Sequence, residues 1–121
     1  MSGLSFAVLT DDAERLRGAL TLAMAHMALG GEARVFLQLD AVRLLAPPIS
    51  APRDGDHAAH GLPTLAALVT EALDAGVAII ACQSGLTLAG LAADTLDPRV
   101  IGGGPVSLLQ SIGPEDRLMI V

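Results

Sequence analysis

The stretch VAIIACQSGL, residues 77–86, decides the fold of this 121-residue chain. Its first six residues form a continuous apolar run of strand length, which is typical of a strand buried on both faces of a parallel sheet. Polar and flexible residues follow at Gln83, Ser84 and Gly85. The run therefore predicts a buried parallel strand that ends at Cys82, the single cysteine of the chain.

Apolar runs alternate with helix-like patterns along the rest of the chain. Apolar residues at helical spacing predict a helix over 11–29, in which Asp11 is the N-cap and Glu14 completes a capping-box-like start, and another over 62–76. Shorter helices are predicted after the second, third and fourth strands. The predicted strands cover residues 4–9, 33–39, 77–82, 99–103 and 117–121.

This alternation predicts parallel strands joined by right-handed crossovers in one domain, residues 1–121, with an open, mainly parallel five-stranded α/β sheet. Residues 46–61, APPISAPRDGDHAAHG, interrupt the pattern with three prolines and two glycines. No periodicity is visible in them, so they predict a mobile loop. Because ligands bind at the carboxyl ends of strands in such sheets, Cys82 is predicted at a ligand-binding edge.

The charge and composition exclude several classes of partner. The formal net charge is −6, the seven basic residues are all arginines without a cluster, and only Phe6 and Phe36 are aromatic. Such a chain lacks the basic footprint and the stacking platforms of a nucleic-acid-binding protein. No apolar stretch approaches the roughly 20 residues of a membrane span. The first residues also lack a signal-peptide pattern, so we expect a cytoplasmic protein.

The apolar content indicates a subunit interface. Hydrophobic residues make up 52% of the chain and the mean hydropathy is +0.59. A monomer of this size rarely hides so much apolar surface. The helix over 11–29 is also apolar on a second face, where Leu22, Met24 and His26 lie off its main stripe. We therefore expect a homo-oligomer.

Cys82 has two interpretations. Free cysteine is often buried and packs as a small hydrophobe. At a strand end before a helix, however, the helix dipole stabilises a thiolate, which is the nucleophilic form. Because the chain has no second cysteine, no internal disulfide can resolve a modified Cys82. Whatever group Cys82 receives must leave to another molecule, which favours a carrier, for example of a persulfide, over a dithiol oxidoreductase.

Other chemical patterns are weaker. His57 and His60 have H-x-x-H spacing in the predicted loop, where a solvated segment is favoured over a metal site. If the loop folds over the sheet edge, either histidine could stabilise an anionic Cys82. The glycines of GGGPV, residues 102–106, match neither a dinucleotide fingerprint nor a P-loop, so no cofactor is predicted.

The element order, with VAIIACQSGL and DPRVIGGGPVSLLQSIGPEDRLMIV, resembles the DsrE-like sulfur-relay family over nearly the whole chain. This resemblance implies a flavodoxin-like subunit with helices on both faces, assembly into trimers or hexamers, and a persulfide carried on Cys82. It implies sulfur donor and acceptor proteins as partners. The residues after Cys82, Gln83, Ser84 and Gly85, and the loop residues His57 and His60 are possible neighbours of the site because of their places in the chain. The alternative is a non-catalytic assembly or ligand-binding subunit with an inert Cys82, so enzymatic activity stays open.

Overall fold

The computed structural model describes all residues from 1 to 121. Five parallel strands form one sheet in the order β4-β3-β2-β1-β5. The fold class predicted from the sequence is confirmed, and every strand pair is parallel. The strands are β1 (Leu4–Val8), β2 (Ala33–Leu37), β3 (Ala78–Cys82), β4 (Ile101–Gly103) and β5 (Arg117–Ile120).

Helices connect successive strands. They are α1 (Ala13–Ala28), α2 (Asp54–Ala59), α3 (Leu65–Asp74), α4 (Gln83–Ala89) and α5 (Pro105–Ser111), together with 3₁₀ helices at Leu39–Leu45 and Ala93–Thr95. From β1 to β4 each step across the sheet runs in one direction, so right-handed crossovers place α1, α3 and α4 on one face. The return from β4 to β5 runs the opposite way and places α5 on the other face.

The main core lies between the sheet and the helices on the first face, α1, α3 and α4. Fully buried side chains of β1 and β2, such as Phe6 and Val35, pack in one hydrophobic cluster with Leu16 and Leu20 of α1 and Leu65 of α3. The apolar spacing of α1 and α3 explains this packing, because residues three and four apart share a helix face. The two edge strands β4 and β5 are only partly covered.

Helix α1 begins one residue later than the sequence predicts. Asp12, not Asp11, is the N-cap, and its carboxylate accepts a hydrogen bond from the Glu14 backbone N–H at 2.9 Å. The backbone of Asp12 is extended, with φ −78° and ψ 111°, which is the geometry that aims a cap side chain back at the first turn. Two adjacent aspartates offer the same capping group, and backbone geometry decides between them.

The prediction of a loop over 46–61 is wrong for six of its residues, because Asp54–Ala59 form α2. No residue of α2 is buried, so this helix has no apolar stripe that the sequence could reveal. Asp54 holds it in place: its carboxylate accepts the backbone N–H groups of Ala51 and Leu65 and pairs with Arg17 at 3.0 Å. No helix of the protein has the length and apolar character needed to cross a membrane.

Candidate functional site at the end of strand β3

Cys82 is the last residue of β3 and directly precedes α4. It lies opposite Gly103 of β4 in the parallel register. Its backbone is extended, with φ −61° and ψ 121°, and it is the N-cap residue of α4. The predicted position of Cys82 at a strand end is confirmed. The following helix begins directly after it, at Gln83.

The side chain of Cys82 is enclosed. Only 2% of the residue is exposed, and it belongs to the main hydrophobic cluster together with Leu86 of α4 and Leu96. Helix α4 packs closely against the 3₁₀ helix Leu39–Leu45. The Cys82 thiol therefore lies beneath the surface of the protein.

The three residues after Cys82 have different roles. Gln83 and Ser84 are exposed, whereas Gly85 is buried against the backbone of Leu39. A methyl group at Gly85 would collide with the Leu39 carbonyl oxygen, so only glycine lets α4 approach this closely. Gly85 shapes the surroundings of Cys82 through packing.

The first turn of α4 directly follows Cys82 in the chain, and no side chain caps this helix. The first backbone N–H groups of a helix have no partner within it, and they carry partial positive charge. A cysteine at the start of a helix is a recurrent feature of reactive thiol sites in proteins.

The connections after β3 and β4 leave the sheet on opposite faces. Helix α4 follows β3 on one face, and α5 follows β4 on the other. In open α/β sheets, ligands bind outside the carboxyl ends of strands at such a point. Cys82 lies at the carboxyl end of β3, opposite Gly103 of β4, and therefore at this point of the sheet.

The two loop histidines make contacts with other groups. His57 Nε2 lies 2.7 Å from Glu14 Oε1 of α1, and His60 Nδ1 lies 2.9 Å from the Asp56 carbonyl oxygen. His57 is therefore hydrogen-bonded to the carboxylate of Glu14 in α1. The proposed role of these histidines beside Cys82 gains no support from these contacts.

Metal-ligating groups do not cluster in this structure. No group of three His, Cys, Asp or Glu side chains is arranged to hold an ion. The remaining histidine, His26, lies 2.7 Å from the Ser2 carbonyl oxygen, and its ring covers Gly31. This packing agrees with the structural role that its place in an apolar helix suggests.

Arg34 is the residue that the sequence reasoning missed. It is the second residue of β2, paired with Ser5 of β1 and Ala78 of β3. The signal was present, because a charge inside the apolar run ARVFLQL is unusual for a strand expected to be buried on both faces.

Comparison with known proteins agrees with this fold. The sequence model of the DsrE/DsrF-like family matches residues 5–120. Two solved structures align over 100% of both chains: the ychN protein from E. coli, at 20% identity and a TM-score of 0.76, and the protein of unknown function MTH1491 from Methanobacterium thermoautotrophicum, at 18% and 0.74. At these identities the likeness concerns the fold alone. No curated protein matches the sequence significantly. Because the family match covers nearly the whole chain, this protein belongs to the DsrE/DsrF-like family.

Proposed function

We propose that this protein is a sulfur carrier, with sulfurtransferase-like activity, that accepts a sulfane sulfur as a persulfide on Cys82 and passes it to a partner protein. The observation that carries this proposal is the position of Cys82, at the end of β3 and before the uncapped turn of α4, in a DsrE/DsrF-like chain. The absence of a second cysteine supports a carrier over an internal dithiol exchange.

The proposed chemistry consists of two exchanges at sulfur. The Cys82 thiolate attacks the outer sulfur of a donor persulfide, a new S–S bond forms at Cys82, and the donor leaves as a thiolate. An acceptor thiolate then attacks the outer sulfur of the Cys82 persulfide, and Cys82 leaves as a thiolate. Each step breaks one S–S bond and forms another, so no external oxidant or reductant is needed.

The enclosure of Cys82 gives the partner protein a role. With only 2% of the residue exposed, attack requires local displacement of a covering segment. Helix α4 is a suitable candidate because it has seven residues, too few for a stable helix without packing. A partner that binds its exposed residues, Gln83 and Ser84, would be well placed to displace it.

A persulfide-loading experiment tests this function. The protein is incubated with glutathione persulfide, and intact-mass spectrometry is expected to show one added sulfur atom that peptide mapping assigns to Cys82. Cys82→Ala is the control and should gain none. A small thiol acceptor should then remove the sulfur. Absence of loading on Cys82, while a control thiol protein is loaded, would show that the proposal is wrong.

A second candidate function is a non-catalytic assembly or ligand-binding subunit with an inert Cys82. The burial of Cys82 within the main hydrophobic cluster favours it. The rate of alkylation by iodoacetamide distinguishes the two functions. An inert thiol should react only as fast as the protein unfolds globally, whereas a carrier thiol should react through local opening under conditions where global unfolding is far slower.

The remaining proposals concern assembly and location. We propose that the protein forms a homo-oligomer, because the edge strand β5 exposes the apolar side chains of Leu118, Met119 and Ile120. The family resemblance implies a trimer or hexamer. An uncovered apolar edge strand is a common site of association. A cytoplasmic location suits the proposed thiol chemistry, since reducing conditions keep a single cysteine free.

A further inference from the structure

Arg34 is a cation without a carboxylate partner. Five of the seven arginines form ion pairs, and the two that form none are Arg34 and Arg117. Arg117 is exposed on the edge strand β5, where water solvates its charge. Arg34 is half-buried in the central strand β2, so its charge is partly removed from water and no ion pair compensates for this loss of solvation.

The only hydrogen bond of the Arg34 guanidinium is weak. Its Nη1 donates to Ser5 Oγ at 3.2 Å, and no other protein group accepts from it. Asp116 is close enough for Arg34 to contribute to its lowered pKa, but the backbone N–H groups of Gly113 and Gly3 are the main cause of that shift. These two groups each lie 2.8 Å from the Asp116 carboxylate, which makes no ion pair with Arg34.

Arg34 lies in the wall of a groove between the sheet and α5. The groove has a volume of about 300 Å³. Its other lining residues include Ile80, Ile101, Ser107 and Ser111. The two serine hydroxyls donate to backbone carbonyls of their own helix region, Ser107 to Gly104 and Ser111 to Leu108. Their protons are therefore engaged, and Arg34 is left as the free cationic donor of an otherwise apolar groove.

We propose that this groove binds a small organic carboxylate, with Arg34 holding the carboxylate and the apolar portion of the ligand packed on Ile80 and Ile101. A guanidinium matches a carboxylate in geometry and can donate two hydrogen bonds to it. The volume is at the lower end of the range of small-molecule sites. This site goes beyond the sulfur-carrier function and does not depend on reaction at Cys82, although Ile80 and Cys82 belong to the same strand.

Nuclear magnetic resonance of the arginine side chains tests the site directly. Hexanoate is titrated into ¹⁵N-labelled protein, and the Arg34 Nε–Hε signal is expected to shift in a saturable manner while the Arg117 signal does not. Hexanamide, which has the same chain without the charge, should cause no such shift. Inorganic sulfate should bind more weakly than hexanoate, since it lacks an apolar portion. Equal binding of sulfate and hexanoate would contradict an organic ligand.

Variants separate the parts of the site. Arg34→Gln should abolish the binding of hexanoate, and Arg117→Gln, the matched unpaired arginine, should leave it unchanged. Ile101 is 52% exposed on an edge strand, so Ile101→Ser should fold and should weaken binding several-fold. The thermal midpoint of Arg34→Gln should change little, because the arginine has no ion pair to lose and only one weak hydrogen bond, to Ser5. Failure of hexanoate to shift the Arg34 signal, or a change in oligomer mass caused by Arg34→Gln, would overturn the proposal and assign the groove to another role.

Discussion

At the residue scale, the local sequence pattern predicts the position of Cys82, whereas its surroundings in the fold decide its burial. The apolar run and the polar residues that follow it correctly placed the cysteine at the end of a strand. Its burial depends on tertiary packing, since Cys82 lies in the main hydrophobic cluster and α4 packs on the distant 3₁₀ helix Leu39–Leu45. The same residue therefore satisfies both sequence interpretations, a strand-end cysteine and a buried one.

Gly85 carries the most specific residue-scale prediction. Gly85→Ala would place a methyl group against the Leu39 backbone, which cannot move as a side chain can. We expect a loss of about 1–3 kcal/mol in the free energy of unfolding, as for other overpacked sites. Chemical denaturation measures it.

Gly18 provides the matched control for Gly85. Gly18 is an exposed glycine inside α1, with open space where a side chain would begin. Gly18→Ala should stabilise the protein by about 0.5–1 kcal/mol, because alanine favours the helix. If Gly85→Ala were as stable as the wild type, the close approach of α4 to Leu39 would be incorrect.

At the element scale, α2 is the helix that the sequence did not reveal. Its residues DGDHAA bury no side chain and contain a glycine, so neither apolar periodicity nor helix propensity indicates it. Polar contacts to α1 stabilise it instead, through the ion pair of Asp54 with Arg17 and the hydrogen bond of His57 with Glu14. Such pairs form only once the chain has brought α1 and α2 together, which explains why local sequence reasoning assigned a loop.

Removal of Asp54 tests this account of α2. Asp54→Ala would lose the two backbone hydrogen bonds to Ala51 and Leu65 and would remove one partner of the nearly buried Arg17. We expect a loss of about 2–3 kcal/mol in the free energy of unfolding. Asp56→Ala removes only an exposed ion pair with Arg53 and should change stability by less than about 1 kcal/mol. Equal effects of the two substitutions would contradict the anchoring role.

The Glu14 carboxylate is expected to make the free energy of unfolding depend on pH in the acid range. Its pKa lies below the ordinary value of 4.5, first because of the hydrogen bond with His57 and then because of that with Arg17. Arg53 also pairs with it. The folded state therefore binds protons less readily than the unfolded chain, so this stabilisation is complete above pH 4.5 and is lost as the pH falls through the lowered pKa.

Glu14→Gln isolates this contribution. Thermal midpoints are measured from neutral pH into the acid range. We expect the midpoint of the variant to fall less than that of the wild type as the pH drops below 4.5. Glu71→Gln, at an exposed position of α3 without an ion pair, should follow the wild-type curve. A Glu14→Gln curve parallel to that of the wild type would show that the carboxylate does not stabilise the fold in this way.

At the scale of the whole molecule, the edge strand β5 predicts the association surface. Ile120 is 61% exposed. If the proposed oligomer forms there, Ile120→Lys should reduce its mass in light scattering, because a charge would be buried in the contact. Leu22→Lys tests the second apolar face of α1 as an alternative interface, since Leu22 is 52% exposed. If Leu22→Lys dissociated the oligomer and Ile120→Lys did not, the interface would lie on α1 and not on β5.

The sequence by itself determined the alternation of strands and helices, the parallel class of the sheet, and the position of Cys82 at a strand end. These features follow from the spacing of apolar residues, which acts over a few residues at a time. Only the tertiary structure decided the strand order, the burial of Cys82, the existence of α2 and the isolation of Arg34. Each of these depends on contacts between residues far apart in the chain, and local periodicity contains no information about such contacts.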